Sequence, residues 1–419
     1  MKVDSGTPLV SEVVAATIVA LDHEGNGTGI IEAATHLTSS TEASLSIRVP
    51  FTVPGERVRA RIWRRGADGA VADLVEVLSP AQERVAAPCP LFGACGGCQL
   101  QHLAYGRQLD WKTAVVRDLA AALGLGDRVA PCIGSPRQLG YRSKITPHHD
   151  RPRADASLAI GFLKVGRKHE VIDVVRCPLA TDGINARLPA LREAIVAAAP
   201  RSRLGASFLI REAASGVTTD PDARGTERIA GLELEFFARE FFQNNPFLLP
   251  ALVQFVVGAA TSGGAPWLVD AYTGSGLFAL AAAARFTNVF GVEVSPSAVR
   301  AARENAARNG ITNARFVAAD AARIFGEIDC PGAEAAVIVD PPRKGCGDAF
   351  LSQLVAFGPA TIVYVSCNPE TLMRDIAVLM SASYETRTLQ PFDMFPQTRH
   401  VECVAVLRRR QPLLDPSAQ

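Results

Sequence analysis

Apolar and polar positions give the first part of the chain the pattern of a small β structure. Short β-prone runs, of which those at 44–49 and 58–63 alternate apolar with polar residues, are separated by turns that contain glycine or proline. The runs cover 13–21, 44–49, 58–63 and 71–78. Alternation with a period of two is typical of half-buried strands. Several such strands joined by glycine turns predict a small barrel.

The pattern changes near residue 246, where strand-like apolar runs begin to alternate with helical periods. The runs lie at 266–271, 288–294, 314–318, 335–339 and 361–365. Repeated strand–helix units of this kind predict a doubly wound parallel sheet, that is, an α/β fold.

Helix boundary signals support the same prediction. Ser295 is suited to cap a helix, Pro296 fits its first turn, and Gly310 is placed to end it. The region between the two patterns, residues 81–245, is mixed α/β. We therefore expect three domains, at 1–80, 81–245 and 246–412.

Composition narrows the class of protein. The chain of 419 residues is too long for one domain with a single hydrophobic core. Its content of 48% hydrophobic and 20% charged residues is typical of a soluble globular protein. The longest apolar run, near 277–284, is too short to span a bilayer. Glu12 interrupts the N-terminal apolar stretch, which therefore lacks the core of a signal peptide. We expect a cytoplasmic protein without membrane association, and a monomer.

Acidic residues end three successive predicted strands, where ligands of such sheets bind. Asp270 precedes a glycine turn at 274–276, Glu293 ends the second run, and Asp320 ends the third. The turn lacks the third glycine of a dinucleotide-binding motif. Three acids in register suit adenosine with a cationic sulfonium, which favours S-adenosylmethionine over a dinucleotide.

Two loops after the fourth and fifth strands carry candidate catalytic chemistry. The first reads Asp-Pro-Pro-Arg-Lys-Gly at 340–345, and the second reads Ser-Cys-Asn-Pro at 366–369. Methylation of uracil at carbon 5 needs a thiolate that adds to carbon 6 and a base that removes the carbon 5 proton. Cys367 can supply the thiolate, although a lone cysteine is often a small buried hydrophobe. Glu402 can supply the base, although an ion pair with Arg399 would also explain it.

Together these segments resemble the S-adenosylmethionine-dependent 5-methyluridine RNA methyltransferase family. Besides the two loops, His-Val-Glu at 400–402 matches the family, and Phe-Gln-Asn-Asn at 242–245 is similar to its Phe-x-Gln-x-Asn element. The resemblance covers essentially the whole chain. It departs at Leu277, where members often have asparagine, so a cofactor contact there must come from the backbone.

Several residue roles are implied by this resemblance. Cys367 would be the nucleophile and Glu402 the base. The cofactor-binding residues would be Gln243, Tyr272, Glu293, Asp320 and Asp340. The fold implied is a Rossmann-like methyltransferase sheet preceded by an OB-like barrel and a mixed α/β central domain.

Cysteines suggest a second cofactor. The chain has nine, an odd number that argues against a disulfide framework. Cys89, Cys95 and Cys98 lie close in sequence, and Cys177 can complete a four-thiolate site. Zinc is an alternative, but it more usually takes two Cys-x2-Cys pairs. Because these four residues match family members that carry a four-iron four-sulfur cluster, the resemblance implies such a cluster, with a structural or RNA-docking role.

The predicted barrel offers a candidate RNA-binding surface. Its turns at 25–29 and 53–56 resemble a TRAM domain, an OB-like module that binds RNA. OB-type barrels bind single strands through basic grooves and aromatic stacking, and Trp63 stands among Arg61, Arg64 and Arg65. The net charge of +1 adds no argument for nucleic acid. A uracil inside a duplex hides carbons 5 and 6, so a flipped base is expected, and Arg343 would help to hold it.

We therefore predict methyl transfer to carbon 5 of a uridine in RNA. The TRAM and cysteine features favour 23S ribosomal RNA, and a tRNA T-loop uridine is the alternative. A second hypothesis is a methyltransferase that uses 340–342 on a protein or small molecule. A third is an RNA-binding iron–sulfur protein that has lost catalysis, for which Leu277 is the one hint. Replacing Cys367 separates the first two, because only the first predicts complete loss of methyl transfer.

Overall fold

The computed structural model describes residues 12–32, 46–150, 158–167, 169–198, 205–319, 324–326 and 328–410. The chain folds into two compact units. The first comprises Met1–Trp111, Ala159–Val174 and Gln397–Arg399, and the second comprises Lys112–Leu158, Val175–Pro396 and His400–Gln419. The three-domain division stays a prediction.

The first unit contains the predicted barrel. Its strands are β1 (Glu12–Leu21), β2 (Gly27–Ile31), β3 (Ser46–Val49), β4 (Arg57–Gly66) and β5 (Gly69–Ser79). They close in the order β1-β2-β3-β5-β4, with β1 antiparallel to β4 and β3 parallel to β5.

Alternation along β4 explains why this barrel forms. Val58, Ala60 and Ile62 are fully buried, while the arginines between them are exposed. Gly29 allows β1 and β2 to approach closely, because a Cβ there would lie 2.1 Å from the carbonyl oxygen of Thr17. The OB-like part of the predicted fold is confirmed.

The middle of the chain is mixed α/β, as expected. Its elements are α1 (Tyr105–Ala121), β6 (Lys144–Ile145), β7 (His148–His149), β8 (Ile160–Leu163), β9 (Val171–Asp173), α2 (Asp182–Ala198), β10 (Ala206–Ser207), β11 (Ile210–Ala213), β12 (Gly216–Thr218), β13 (Arg224–Ile229) and β14 (Leu232–Phe237). In the first unit β8 pairs with β9. In the second, β11 pairs with β6 and β12, β7 with β10, and β13 with β14, all antiparallel.

A seven-stranded sheet dominates the second unit. Its elements are α3 (Leu249–Thr261), β15 (Trp267–Ala271), α4 (Leu277–Ala282), β16 (Asn288–Glu293), α5 (Pro296–Arg308), β17 (Ala314–Ala318), β18 (Ala335–Val339), α6 (Asp348–Phe357), β19 (Thr361–Ser366), α7 (Pro369–Ser381), β20 (Tyr384–Phe392) and β21 (Glu402–Arg409). The strand order is β17-β16-β15-β18-β19-β21-β20, and β21 runs antiparallel to both of its neighbours.

Every residue of β18 is buried, as expected for a parallel strand covered by helices on both faces. Ser295 caps α5 by accepting a hydrogen bond from the Ala298 amide, and Gly310, with φ 65°, follows its end. The doubly wound fold predicted from the sequence is therefore confirmed. Within the described part of the chain, no helix is long and apolar enough to cross a membrane.

Candidate active site

A cavity of about 1220 Å³ opens at the carboxyl edge of the parallel strands of the second unit. Pockets for single ligands usually occupy about 300–1,000 Å³, so this one has room for a cofactor together with part of a second molecule. The structure brings six of the predicted site residues into its lining. They are Gln243, Tyr272, Glu293, Asp340, Cys367 and Glu402.

Four of the five parallel strands end at the cavity with one of these residues. Tyr272 follows β15, Asp340 follows β18 and Cys367 follows β19, while Glu293 is the last residue of β16. Glu402 arrives from the opposite direction, as the first residue of the antiparallel strand β21. Asp320 lies outside the described residues.

The turn after β15 forms the floor of one side of the cavity. Tyr272 has a φ of 63°, uncommon for a residue with a bulky side chain, and Gly274 and Gly276 also have positive φ. Glu293 holds the turn because its Oε2 accepts a hydrogen bond from the Gly274 amide at 3.2 Å. Its Oε1 accepts one from the Ser295 amide at 3.0 Å. Both carboxylate oxygens keep further acceptor capacity toward the cavity.

Asp270, which the sequence analysis placed among the acids at the ligand-binding edge of the sheet, does not line the cavity. The strand continues to Ala271, and the Asp270 side chain is fully buried beneath the turn rather than part of the cavity lining. Its Oδ2 accepts hydrogen bonds from the Thr273 hydroxyl at 2.8 Å and the Ala279 amide at 2.9 Å. Burial raises its pKa to about 7, and the charge of Glu293 adds to the shift. Asp270 is thus a support of the turn and of the start of α4.

A segment before α3 forms another wall. Gln243 is buried there beside Asn245, whose amide nitrogen donates to the Ser135 hydroxyl at 3.0 Å and to the Met394 carbonyl at 3.2 Å. Asn245 therefore fixes the backbone that presents Gln243. Phe241, which the sequence analysis did not single out, also lines the cavity and is 69% exposed. Its exposed ring is a surface on which a base can stack.

The two predicted catalytic loops are joined by side-chain hydrogen bonds. Asn368 Nδ2 and Thr371 Oγ1 each donate to the carbonyl of Arg343 at 3.2 Å. Asn368 also caps α7 by accepting from the Glu370 amide. Cys367 is held in this turn and is partly exposed, unlike a cysteine that only fills a core.

Charges around the thiol act in opposing directions. The pKa of the Cys367 thiol is raised to about 11, mainly by burial and also by the charges of Glu402 and Asp340, although Arg343 lowers it by its charge and a hydrogen bond. Glu402 is only 3% exposed, so burial raises its pKa well above the usual range, and the charge of Asp340 adds to this. Burial, with the charge of Asp270, raises the pKa of Asp340 to about 7. Arg343 is thus the cation that favours both the thiolate and the Glu402 carboxylate.

The alternative partner considered for Glu402 is engaged elsewhere. Arg399 forms an ion pair with Glu24 within the first unit.

The predicted cluster ligands are cysteines of intermediate exposure that form no disulfide bond. Cys89, Cys95 and Cys98 belong to the first unit and Cys177 to the second. In the first unit the loop at 89–98 is fixed against β8 by a hydrogen bond of 2.9 Å from the Gly96 amide to the Leu163 carbonyl. Among the described residues, no three or more His, Cys, Asp or Glu side chains are arranged to hold a metal ion.

The outward face of β4 carries the residues predicted to bind RNA. Trp63 is 41% exposed, and the Arg64 guanidinium lies 5.5 Å from the centre of its ring. Arg65 is paired with Glu12 at 2.8 Å, and Arg61 is exposed.

Comparison with known proteins places this geometry in context. The model of the tRNA (uracil-5-)-methyltransferase family matches residues 227–410. A tRNA (uracil(54)-C(5))-methyltransferase of Schizosaccharomyces pombe is 38% identical over 94% of this chain and 78% of its own length. The enzyme of the same description from Saccharomyces cerevisiae is 30% identical over 95% of this chain and 74% of its own.

A solved structure agrees with these relatives. The tRNA (uracil-54, C5)-methyltransferase of Pyrococcus abyssi, in complex with S-adenosyl-L-homocysteine, superposes with a TM-score of 0.70 at 26% identity. The match covers 94% of this chain and all of that one. The chain belongs to the S-adenosylmethionine-dependent 5-methyluridine RNA methyltransferase family, and it transfers a methyl group to carbon 5 of a uridine in RNA.

Proposed function

We propose that the substrate is the uridine at position 54 in the T-loop of tRNA, and that Cys367 and Glu402 carry out the chemistry. The observation behind the residue roles is that one cavity holds the Cys367 thiol, the buried Glu402 carboxyl and Arg343. For the substrate, the support is that the yeast and archaeal relatives described above are named as enzymes of that uridine. The 23S ribosomal RNA favoured from the sequence has no counterpart among those three names.

Four cavity residues fit the cofactor. Glu293 has acceptor capacity for ribose hydroxyls, and Tyr272 lies on the turn whose backbone a ligand can approach. Gln243 and Asp340 line the same cavity. Carboxyl groups with raised pKa values suit a sulfonium, because a neighbouring cation favours their charged form. When bound, S-adenosylmethionine supplies the methyl group. Asp320 stays a sequence prediction for adenine.

The chain's own residues account for the remaining steps. The Cys367 thiolate, favoured by Arg343, adds to carbon 6 of the uracil, and a C–S bond forms. Electron density moves to carbon 5, which becomes able to accept the methyl group. The Glu402 carboxylate then removes the carbon 5 proton. As that electron pair returns to the ring, the C–S bond breaks, and the thiolate is released with 5-methyluridine.

The barrel is proposed as the RNA-binding TRAM module. Its exposed Trp63, flanked by Arg61 and Arg64, offers a stacking surface and positive charge for a single strand. The target base must leave the helix stack before the thiol can reach carbon 6, and Phe241 offers its exposed ring to an extruded base.

A four-iron four-sulfur cluster on Cys89, Cys95, Cys98 and Cys177 stays a proposal from the sequence. Its support is the spacing of the four cysteines in the sequence and their match to family members that carry such a cluster. The side chains as placed do not form a metal site in the described residues, and no reaction step is assigned to it. A cytoplasmic location and a monomeric state are likewise proposals.

The test uses a tRNA transcript and S-adenosylmethionine labelled in its methyl group, followed by nucleoside analysis. We expect 5-methyluridine with the wild-type protein and none with Cys367→Ala. A transcript in which uridine 54 is replaced by cytidine should accept no label. Label in a 23S rRNA transcript but not in tRNA would overturn the substrate, and activity of Cys367→Ala would overturn the nucleophile.

A further inference from the structure

A fully buried carboxylate on α7, Asp375, lies behind the active-site wall and does not line the cavity. Its Oδ2 accepts hydrogen bonds from the Cys346 amide at 2.8 Å and from the Tyr364 hydroxyl at 2.6 Å. Its Oδ1 accepts from Arg374 Nε at 2.8 Å. Because a buried charge is costly unless it is paired and hydrogen-bonded, this arrangement holds its members in one geometry.

Arg374 extends the contact to the backbone of the Asp-Pro-Pro-Arg-Lys-Gly loop. Its Nη2 donates to the carbonyls of Lys344 at 3.0 Å and Cys346 at 3.1 Å. Gly345, with φ 74°, turns directly over the pair. A Cβ there would lie 2.5 Å from Arg374 Nη2 and 2.7 Å from Asp375 Oδ2. The loop is therefore shaped around the Arg374–Asp375 pair.

The same helix begins immediately after the nucleophile. Asn368 and Thr371, at its start, hold the carbonyl of Arg343, while Arg374 and Asp375, one turn later, hold 344–346. Both ends of this short loop segment are thus attached to α7. The position of Arg343 relative to Cys367 is consequently set by contacts of α7, and Arg343 is the cation that acts on the Cys367 thiol.

We propose that Asp375 is a positioning residue that, through Arg374 and the loop 343–346, keeps the Arg343 guanidinium beside the Cys367 thiolate. Asp375 touches neither substrate nor cofactor in this account. The inference rests on the proposed role of Cys367 as nucleophile, and it adds a residue that controls the fraction of Cys367 present as thiolate.

Asp375→Asn distinguishes loss of a negative charge from displacement of Arg343, because the two effects shift the pKa of the Cys367 thiol in opposite directions. Removing a negative charge near a thiol, with nothing else changed, lowers the thiol pKa. Displacing Arg343 raises it, because the stabilising cation is lost. The rate of Cys367 alkylation by iodoacetamide reports the thiolate fraction and is followed as a function of pH, by mass spectrometry of the Cys367 peptide, in the full chain without RNA.

We expect the midpoint of the Asp375→Asn alkylation profile to move to higher pH by about one pH unit, which makes alkylation below the midpoint about tenfold slower. Tyr364→Phe, which removes one donor to Asp375 and keeps the ring, should move the midpoint less and in the same direction. Glu370→Gln is the matched control, because it removes an exposed carboxylate from the same helix without contact to the loop. Its profile should not move to higher pH.

A profile unchanged or moved to lower pH in both Asp375→Asn and Tyr364→Phe would overturn the positioning role. Should Asp375→Asn fail to fold, Tyr364→Phe alone decides. Failure of the underlying function is distinguishable, since it would appear as methyl transfer by Cys367→Ala, whatever the alkylation profiles show.

Discussion

Glu402 and Asp340 make the cavity sensitive to the charge of its ligand. Burial raises the pKa values of both groups, and that of Asp340 reaches about 7, so the ionised form of Asp340 accumulates as pH rises through neutrality. S-adenosylmethionine carries a positive sulfonium, whereas S-adenosylhomocysteine carries a neutral thioether. Ionised carboxylates therefore attract the first compound more than the second.

The affinity for S-adenosylmethionine, relative to S-adenosylhomocysteine, is expected to increase between about pH 6 and pH 8. Isothermal titration calorimetry of both compounds across this range measures the ratio. Asp340→Asn should flatten its pH dependence because the titrating group is removed. A ratio independent of pH in the wild-type protein would contradict the electrostatic account.

Glu402→Gln separates the base from the nucleophile. Addition of Cys367 and methyl transfer should proceed, but without a base the carbon 5 proton stays and the C–S bond cannot break. A methyl-labelled RNA–protein complex that survives denaturation is therefore expected to accumulate on a gel. The double variant Cys367→Ala, Glu402→Gln provides the control and should form none. Normal turnover by Glu402→Gln would assign the base elsewhere.

The sequence predicted the site residues whose type the reaction requires. It did not predict which side chains at the strand ends point into the cavity. The loops after β18 and β19 had to meet at one sheet edge, and Asp340 and Cys367 do line one cavity. Asp270 has the same residue type, yet it lies within β15, one residue before the strand ends, and is buried under the turn, whereas Asp340 follows the end of β18. Phe241 carried no recognisable signal, since its exposure depends on how 240–243 runs along the cavity.

Strand β4 is the element on which RNA binding is expected to depend. Its outward face presents Trp63 with Arg64 against the ring. Stacking of a base on an aromatic side chain contributes about 1–3 kcal/mol, so Trp63→Ala should weaken RNA binding by roughly 5- to 150-fold. The turnover of saturated enzyme should remain, because the catalytic cavity lies in the other unit.

Fluorescence anisotropy with a labelled tRNA measures this loss. Val19→Ala, which shortens another exposed apolar side chain of the barrel, is the control and should bind as the wild type does. Equal affinity of Trp63→Ala and wild type would place the RNA contact on a different surface.

The sequence predicted most of the strands, but it did not predict their order in the sheet. The apolar runs predicted β1, β3, β4 and β5 of the barrel and the five parallel strands of the sheet, but they did not predict β2, which overlaps the predicted turn at 25–29. The place of β21 between β19 and β20 could not be read from them, because strand order depends on contacts between distant segments.

The whole chain is needed to test the metal prediction, since the four proposed ligands come from both compact units. Protein purified without oxygen should contain iron and acid-labile sulfide in equal amounts, as a four-iron four-sulfur cluster requires. Cys95→Ser should lose both, whereas Cys330→Ser, a partly exposed cysteine outside the predicted set, should keep them. Stoichiometric zinc without sulfide would instead support the alternative metal.

Attack of the Cys367 thiolate on carbon 6 of the uracil can be detected by covalent trapping. RNA carrying 5-fluorouridine at the target position is incubated with the protein and S-adenosylmethionine. Because carbon 5 then carries fluorine in place of the proton that Glu402 removes, the C–S bond to Cys367 cannot break. We predict an adduct stable to denaturation, with the RNA attached to the Cys367 peptide by mass spectrometry, and no adduct with Cys367→Ala. An adduct on another residue, or one that persists in Cys367→Ala, would contradict the account.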